Sequence, residues 1–338
     1  MNIVKPLICS TILGFGLLPC AAGANDSTAT LAAGGLVFTK SPSIKMLSED
    51  LYLSEDKVRV LYHFKNTASA PQTVEVAFPL PDLVPDPLDI EGSPVNVDGP
   101  KNFVSFKTTV DEKAVAAKLE LKAIYKGADE TAMLTRMGIP LSPWAEVTYK
   151  ALAKLSAANK AKLLKLGVAV RDCCDEDSNG NAVDKPGLRA LWTLKTTYHW
   201  KQTFPAGKDV TVEHQYVPIV GHWVTNNWLG DPQPDMAAVV DKERKEYCVD
   251  QNFVSAVRAD KQGSHMTSNY LKYVLTTGAN WAGPIGDFKM TVDKGKPANM
   301  VSFCGDDVQK LTPTTFQVHY RNFTPKQDVG VLILTPRG

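Results

Sequence analysis

The chain has 338 residues, with 37 basic and 36 acidic side chains and 44% hydrophobic residues. So even a balance makes no electrostatic case for nucleic acid, which is bound through basic patches. After the first residues no apolar run reaches the ~20 residues of a membrane span, and the length suits about two domains of ~150 residues.

The opening MNIVKPLICSTILGFGLLPCAAGAND has Lys5, an apolar run from Leu7 to Leu18, and the small residues Ala22-Gly23-Ala24. That order marks residues 1–24 as a secretory signal, expected to be cleaved after Ala24 and to send the protein to the periplasm. Pro19 suits lipoprotein processing at Cys20 poorly. Loss of Lys5 takes one base from the 37 and no acid from the 36, so the mature chain is formally neutral. Cys9 and Cys20 leave with the signal; Cys173, Cys174, Cys248 and Cys304 remain. Four thiols in an oxidising compartment usually pair, and spacing alone does not choose among the connectivities.

From Leu51 the text alternates. Val58, Val60, Tyr62 and Phe64 share one parity, and after a turn at Asn66 to Pro71 so do Val74, Val76 and Phe78. Period-two patterning of this kind predicts half-buried antiparallel strands, ended here by Pro79, Pro81, Pro85 and Pro87. Phe103 to Val110 and Leu119 to Tyr125 read as further strands. Ser142-Pro143 then predicts a helix start, with Ser156 restarting the pattern and Gly167 ending it. Trp192 to Phe204 and Val210 to Tyr216, joined by Pro205-Ala206-Gly207-Lys208, read as a hairpin. Gly221 to Asp235 reads as a linker. Asp250 caps a helix to about Asp260, and five strands finish the chain: Tyr270–Thr276, Phe288–Val292, Met300–Phe303, Phe316–Tyr320 and Val329–Leu334.

Several long motifs resemble a bacterial exported family known only as domain of unknown function 4424. They are NDSTATLAAGGLVFTKSPSIKMLSEDLYLSEDKVRVLYHFKN, VAFPLPD, WTLKTTYHWKQTFPAGKDVTVEHQY and YVLTTGANWAGPIGDFKMTVDKGKP followed by VSFC. The resemblance implies an exported protein and no known activity, so there are no catalytic residues to carry over from it. A second likeness, of fold alone, is to the vault and inter-alpha-trypsin β-sandwich domain. It rests on Asn66, on Phe78-Pro79-Leu80-Pro81, and on Pro205-Ala206-Gly207 with Val210 to Glu213.

The candidate sites are few. Asp175, Asp177 and Asn179 before Gly180 match the first half of a calcium loop, but Pro186 stands where the closing glutamate belongs. A solvated turn is the plainer reading, so no cofactor is expected and calcium is the alternative. Cys173 and Cys174 are a candidate vicinal pair; the crowding acids argue against a reactive thiolate. Cys248, before a helix, and Cys304, ending a strand, are assigned to each other. His199 alternates outward with Lys195 and Lys201, whereas His214 sits on an apolar face, as a hydrogen-bonded core histidine does. No nucleophile, phosphate-loop or dinucleotide motif is present. Trp223, Trp228 and Trp281 lie in glycine-rich text where an aromatic can stack on a ligand or plug a sandwich. Lys150, Lys154, Lys160, Lys162 and Lys165 stand beside a leucine stripe at 150–166, a pattern that fits either a solvated helix face or contact with a membrane surface.

The expectation is therefore a mostly β, α+β protein. It would have two antiparallel sandwich-like domains, 25–230 with a helical insertion at about 131–168, and 231–338, with helices at about 143–166 and 250–260. The expected function is non-enzymatic binding of a small molecule or protein partner through loops at the domain junction. The alternatives are a calcium- or zinc-assisted enzyme using the Asp175 loop with His199 or His214, and a structural envelope protein.

Overall fold

The computed structural model describes residues 25–32, 35–85, 102–171, 187–223, 237–260 and 266–336. β1 (Ser27–Ala32) and β2 (Gly35–Thr39) open the chain, followed by β3 (Ile44–Leu53), β4 (Val58–Asn66) and β5 (Gln72–Pro79). β6 (Lys107–Val110), β7 (Lys113–Val115), β8 (Lys118–Tyr125) and β9 (Ala128–Asp129) lead into α1 (Thr131–Arg136), α2 (Glu146–Ala153) and α3 (Ala157–Leu166). Next come β10 (Ala169–Arg171), β11 (Leu188–Ala190), β12 (Thr193–Phe204), β13 (Asp209–Tyr216) and β14 (Val220–Trp223). α4 (Ala237–Glu246) and α5 (Gln251–Ala259) precede β15 (Met266–Tyr273), β16 (Ile285–Asp293), β17 (Met300–Phe303), β18 (Gln309–Lys310), β19 (Thr315–Phe323) and β20 (Val329–Pro336). The protein is mostly β with helical insertions, an α+β fold.

Three sheets make the body. A six-stranded sheet runs β2-β1-β5-β12-β8-β9, an eight-stranded sheet runs β18-β19-β16-β3-β4-β13-β6-β7, and a four-stranded sheet runs β14-β15-β20-β17. One apolar cluster joins all three: Phe78 and Trp200 come from the first, Tyr62, Phe64 and Val292 from the second, Tyr273 and Val331 from the third. The four-stranded sheet also buries its other face, where Leu332 and Leu334 meet Val240, Val254 and Val257 of α4 and α5. Burial on both faces is why β20 reads as the continuous apolar run VGVLIL rather than as an alternation.

The helices at 131–168 form a second small core around the fully buried Trp192, with Leu134, Leu152 and Leu163. α2 begins at Glu146 with Ala145 as its N-cap, three residues after the expected start at Pro143. The carbonyl of Ser142 instead accepts from the Thr148 hydroxyl at 2.6 Å, so the Ser142-Pro143 segment is a turn folded back on the helix. α3 follows the sequence closely. The Ser156 hydroxyl accepts from the Asn159 amide, and Gly167 ends the helix at φ 73°, a left-handed conformation that glycine adopts without steric cost.

Three expectations change. The segments read as a hairpin, β12 and β13, do not pair: β12 lies in the six-stranded sheet and β13 in the eight-stranded one. Pro205 to Lys208 carries the chain between layers, as the turn between β4 and β5 does. Asn66 ties the two crossings, its side-chain amide donating to the carbonyls of Ala70 and Phe204 at 2.9 Å, while its own carbonyl accepts from Gly207. The text read as a linker begins as β14, paired with β15; residues 224–236 lie outside the described residues. Finally, the boundary at 230/231 does not separate two cores. β3 pairs in parallel with β16, from Asp287↔Ser48 to Val292↔Leu53, so strands from both expected domains share one sheet.

Candidate functional site

Two arrangements stand out, one sealed and one open. The sealed one lies where the three sheets meet. A bulge between Met46 and Ser48 shifts the alternation of β3, so Glu49 points inward with Leu51 and Leu53. β4 contributes Tyr62 and β13 contributes His214, both fully buried, and the chain before β1 brings Asn25 and Asp26 between them. Asp26 Oδ1 lies 2.9 Å from His214 Nε2. The Asn25 side-chain amide donates to Glu49 Oε2 at 2.9 Å. The hydroxyls of Tyr62 and Tyr273 are 3.0 Å apart. Trp281 donates its indole N–H to the Asp26 carbonyl at 2.5 Å.

Burial is the largest influence on these groups. It pushes the Glu49 carboxyl up to about 8, opposed by the Asn25 amide and assisted by the Asp26 charge. It raises Asp26 too, against the opposing charge and hydrogen bond of His214. Both tyrosines are held well above their usual range for the same reason. Perturbed groups often mark functional sites. Here every member from Asn25 to Tyr273 is sealed, with Glu49 the most exposed at 1%, so no substrate reaches them.

The open arrangement lies on the outer face of the six-stranded sheet. Alternation puts Glu75 and Ala77 of β5, Lys195, Thr197 and His199 of β12, and Glu120 and Lys122 of β8 on that face. In a flat sheet β2 and β8 would lie ~19 Å apart, four spacings of ~4.8 Å. Yet the Leu36 amide donates to Glu120 Oε1 at 3.1 Å, so β2 folds across the face. Ala29, Leu36 and Phe38 then pack over Ala77. Between hairpin and sheet lies a cavity of about 540 Å³ with apolar walls from Leu36, Val37, Phe38, Pro79, Leu80 and Ile124. Its charged rim holds Lys195 at 2.9 Å from Asp82, and Lys122 at 3.7 Å from Glu120. Size and lining are those of a small-molecule site.

The residues singled out from sequence mostly lie elsewhere. Trp281 cannot stack on a ligand: it is 3% exposed and packs against Phe64 and Phe204 as a core plug. Trp223 is half-buried at the end of β14 and lines none of the cavities described among these residues. Trp228, the Asp175, Asp177 and Asn179 loop, and Cys173 with Cys174 lie outside the described residues. Cys248 and Cys304 are bonded to each other. His199 is on the outer face with Lys195, as alternation requires, but it is covered and its Nδ1 sits 2.6 Å from Glu75 Oε1. The leucine stripe of 150–166 is spent mainly on the second core, and Lys150 pairs with Glu146 one turn earlier. Among the described residues no three metal-binding side chains converge, and no helix is long and apolar enough to cross a membrane. The groove was missed because its lining comes from five separate strands; Leu36-Val37-Phe38, three apolar residues in a row on an edge strand, was its one local sign.

The family model described as a domain of unknown function, DUF4424, matches residues 24–332. No curated protein matches the chain. Among solved structures, a Legionella pneumophila protein whose description proposes nutrient binding is similar at 15% identity. The match covers 92% of this chain and 70% of that one, with a TM-score of 0.44. At that level the likeness carries neither fold nor ligand to this chain.

Proposed function

The chain belongs to the DUF4424 family, and on that premise we propose that it is an exported, non-enzymatic binding module whose ligand site is the groove beneath β2. The cavity of about 540 Å³ carries the reading. Its apolar walls suit a small apolar body, and its rim offers both signs of charge. The rim pairs are partly exposed, and such ion pairs are worth only about 0–1 kcal/mol. Lys195 and Asp82 can therefore exchange each other for the ends of a zwitterion at little cost. The reading moves the site from the domain junction to this sheet face, since Trp281 is inside the core.

Isothermal titration against free leucine and phenylalanine, with glycine as control, tests it. Saturable binding of the apolar amino acids is expected, lost in Lys195→Ala and Val37→Asp and kept in Lys208→Ala, whose side chain is exposed on the crossing turn. No binding of either amino acid, together with a bare mass for protein purified without dialysis, would overturn the groove as a ligand site.

A further inference from the structure

We infer that cleavage after Ala24 creates a buried cation: the new α-ammonium of Asn25 seats beside Glu49 and Asp26 and completes the core. Water is the co-reactant. Hydrolysis of the Ala24–Asn25 peptide bond leaves the carboxylate on the departing signal and the ammonium on the mature chain. The inference rests on the export half of the proposed function and not on the groove.

Place is the first argument. Asn25 is fully buried, although polar chain ends are ordinarily exposed. The turn after β15 grips it: its backbone nitrogen lies 2.5 Å from the Thr277 hydroxyl, which is also 2.5 Å from its carbonyl oxygen. Gly278 makes room for its side chain, since a Cβ there would come within 2.6 Å of Asn25 Nδ2. Asn280 and Trp281 hold the next two residues, through Ser27 Oγ and the Asp26 carbonyl.

Charge is the second. Asp26 and Glu49 are buried carboxylates, and His214, bonded to Asp26, is the one basic side chain in the cluster, whose other titratable members are Tyr62, Tyr273 and, acting on Tyr273, Tyr216. Glu49 accepts from the Asn25 amide, and the Tyr273 hydroxyl also favours its charged form, but both of these partners are neutral. Three acceptors, Glu49 Oε1, Asp26 Oδ2 and Asn25 Oδ1, are buried without a hydrogen-bond partner. Buried acceptors are rarely left idle, and a buried charge without a counter-charge is costly. The side chain that reaches Glu49 belongs to Asn25 itself, so its α-nitrogen is separated from that carboxylate by no more than one asparagine. An ammonium there brings a positive charge and three N–H donors where the uncut peptide has one.

The test starts from protein exported by a bacterial host with its own signal. Reductive methylation of its free amines is followed on the N-terminal peptide by mass spectrometry, in native buffer and in denaturant. The peptide is expected to begin at Asn25, and its α-amine to methylate at least about tenfold more slowly in the native state, because reaction then waits on local opening. A form carrying Gly-Gly ahead of Asn25 is expected to melt at a lower temperature, by a margin that shrinks when both forms carry Glu49→Gln. An N-terminus at any other residue overturns the inference along with the expected cleavage. An Asn25 amine that methylates equally fast in both states overturns the docking and leaves export standing. Should the Glu49→Gln variants fail to fold, the methylation rates and the Gly-Gly comparison still decide.

Discussion

Glu49 is the residue on which the interior is most finely balanced. Its carboxyl, ordinarily near 4.5, is held at about 8 when residue 25 carries a neutral amide nitrogen. The folded state then keeps a proton that the unfolded chain gives up. The stabilisation is complete below about pH 4.5 and is lost as pH rises toward about 8. In the Gly-Gly-extended form the urea midpoint should therefore fall between pH 5 and pH 8.5, and Glu49→Gln should remove most of that difference. In the processed form an ammonium beside the carboxylate favours its charged state, so the fall should be shallower. Equal pH profiles in the extended protein with and without Glu49→Gln would remove Glu49 from this role. The residue could be suspected from sequence because it shares the parity of Leu51 and Leu53. Nothing in the sequence around Asp26 shows that it goes inside as well.

Among the elements, α4, α5 and the four-stranded sheet form the unit most dependent on a covalent tie. The Cys248–Cys304 bridge spans 56 residues and joins the segment between the two helices to the end of β17. Closing a loop of that length stabilises by about 4 kcal/mol in the chain-entropy model. Cys248→Ser with Cys304→Ser should therefore lower the stability by about 2–4 kcal/mol in chemical denaturation, and reductant should do the same to the native protein. An unchanged midpoint would mean that packing of Val240, Val254 and Val257 on Leu332 and Leu334 suffices alone. The strands at this scale were legible because alternation is local. Their partners were not: Val210 to Tyr216 alternates identically whether it returns along β12 or crosses to the other layer beside β4. The crossing is fixed by Asn66, which opens one turn and binds the other across 138 residues of sequence.

At the scale of the whole molecule, sharing of one sheet by residues 44–53 and 285–293 decides the cooperativity. Splitting the chain at 230/231 strips β3 of β16 and removes Tyr273, Val331 and Ile333 from the common core. Residues 25–230 and 231–338 expressed separately should therefore lack a cooperative melt, and the intact protein should show a single calorimetric transition with equal calorimetric and van't Hoff enthalpies. Two resolved transitions, or a fragment that melts cooperatively, would return the chain to two independent domains.

By itself the sequence determined the class of the fold, the main strands from Val58 onward, the helices α2, α3 and α5, the cap at Asp250 and the stop at Gly167. Each of these follows from periodicity or from the backbone preferences of a few neighbouring residues. Only the tertiary structure decided which sheet each strand joins, that Trp281 plugs the core, that Asn25 and Asp26 are buried, and that β2 folds over a groove. Those outcomes depend on contacts between residues tens to hundreds of positions apart, such as Asn25 with Thr277 and Leu36 with Glu120. Alternation states that a side chain faces one side of a strand. What covers that side is settled when distant segments compete to bury it.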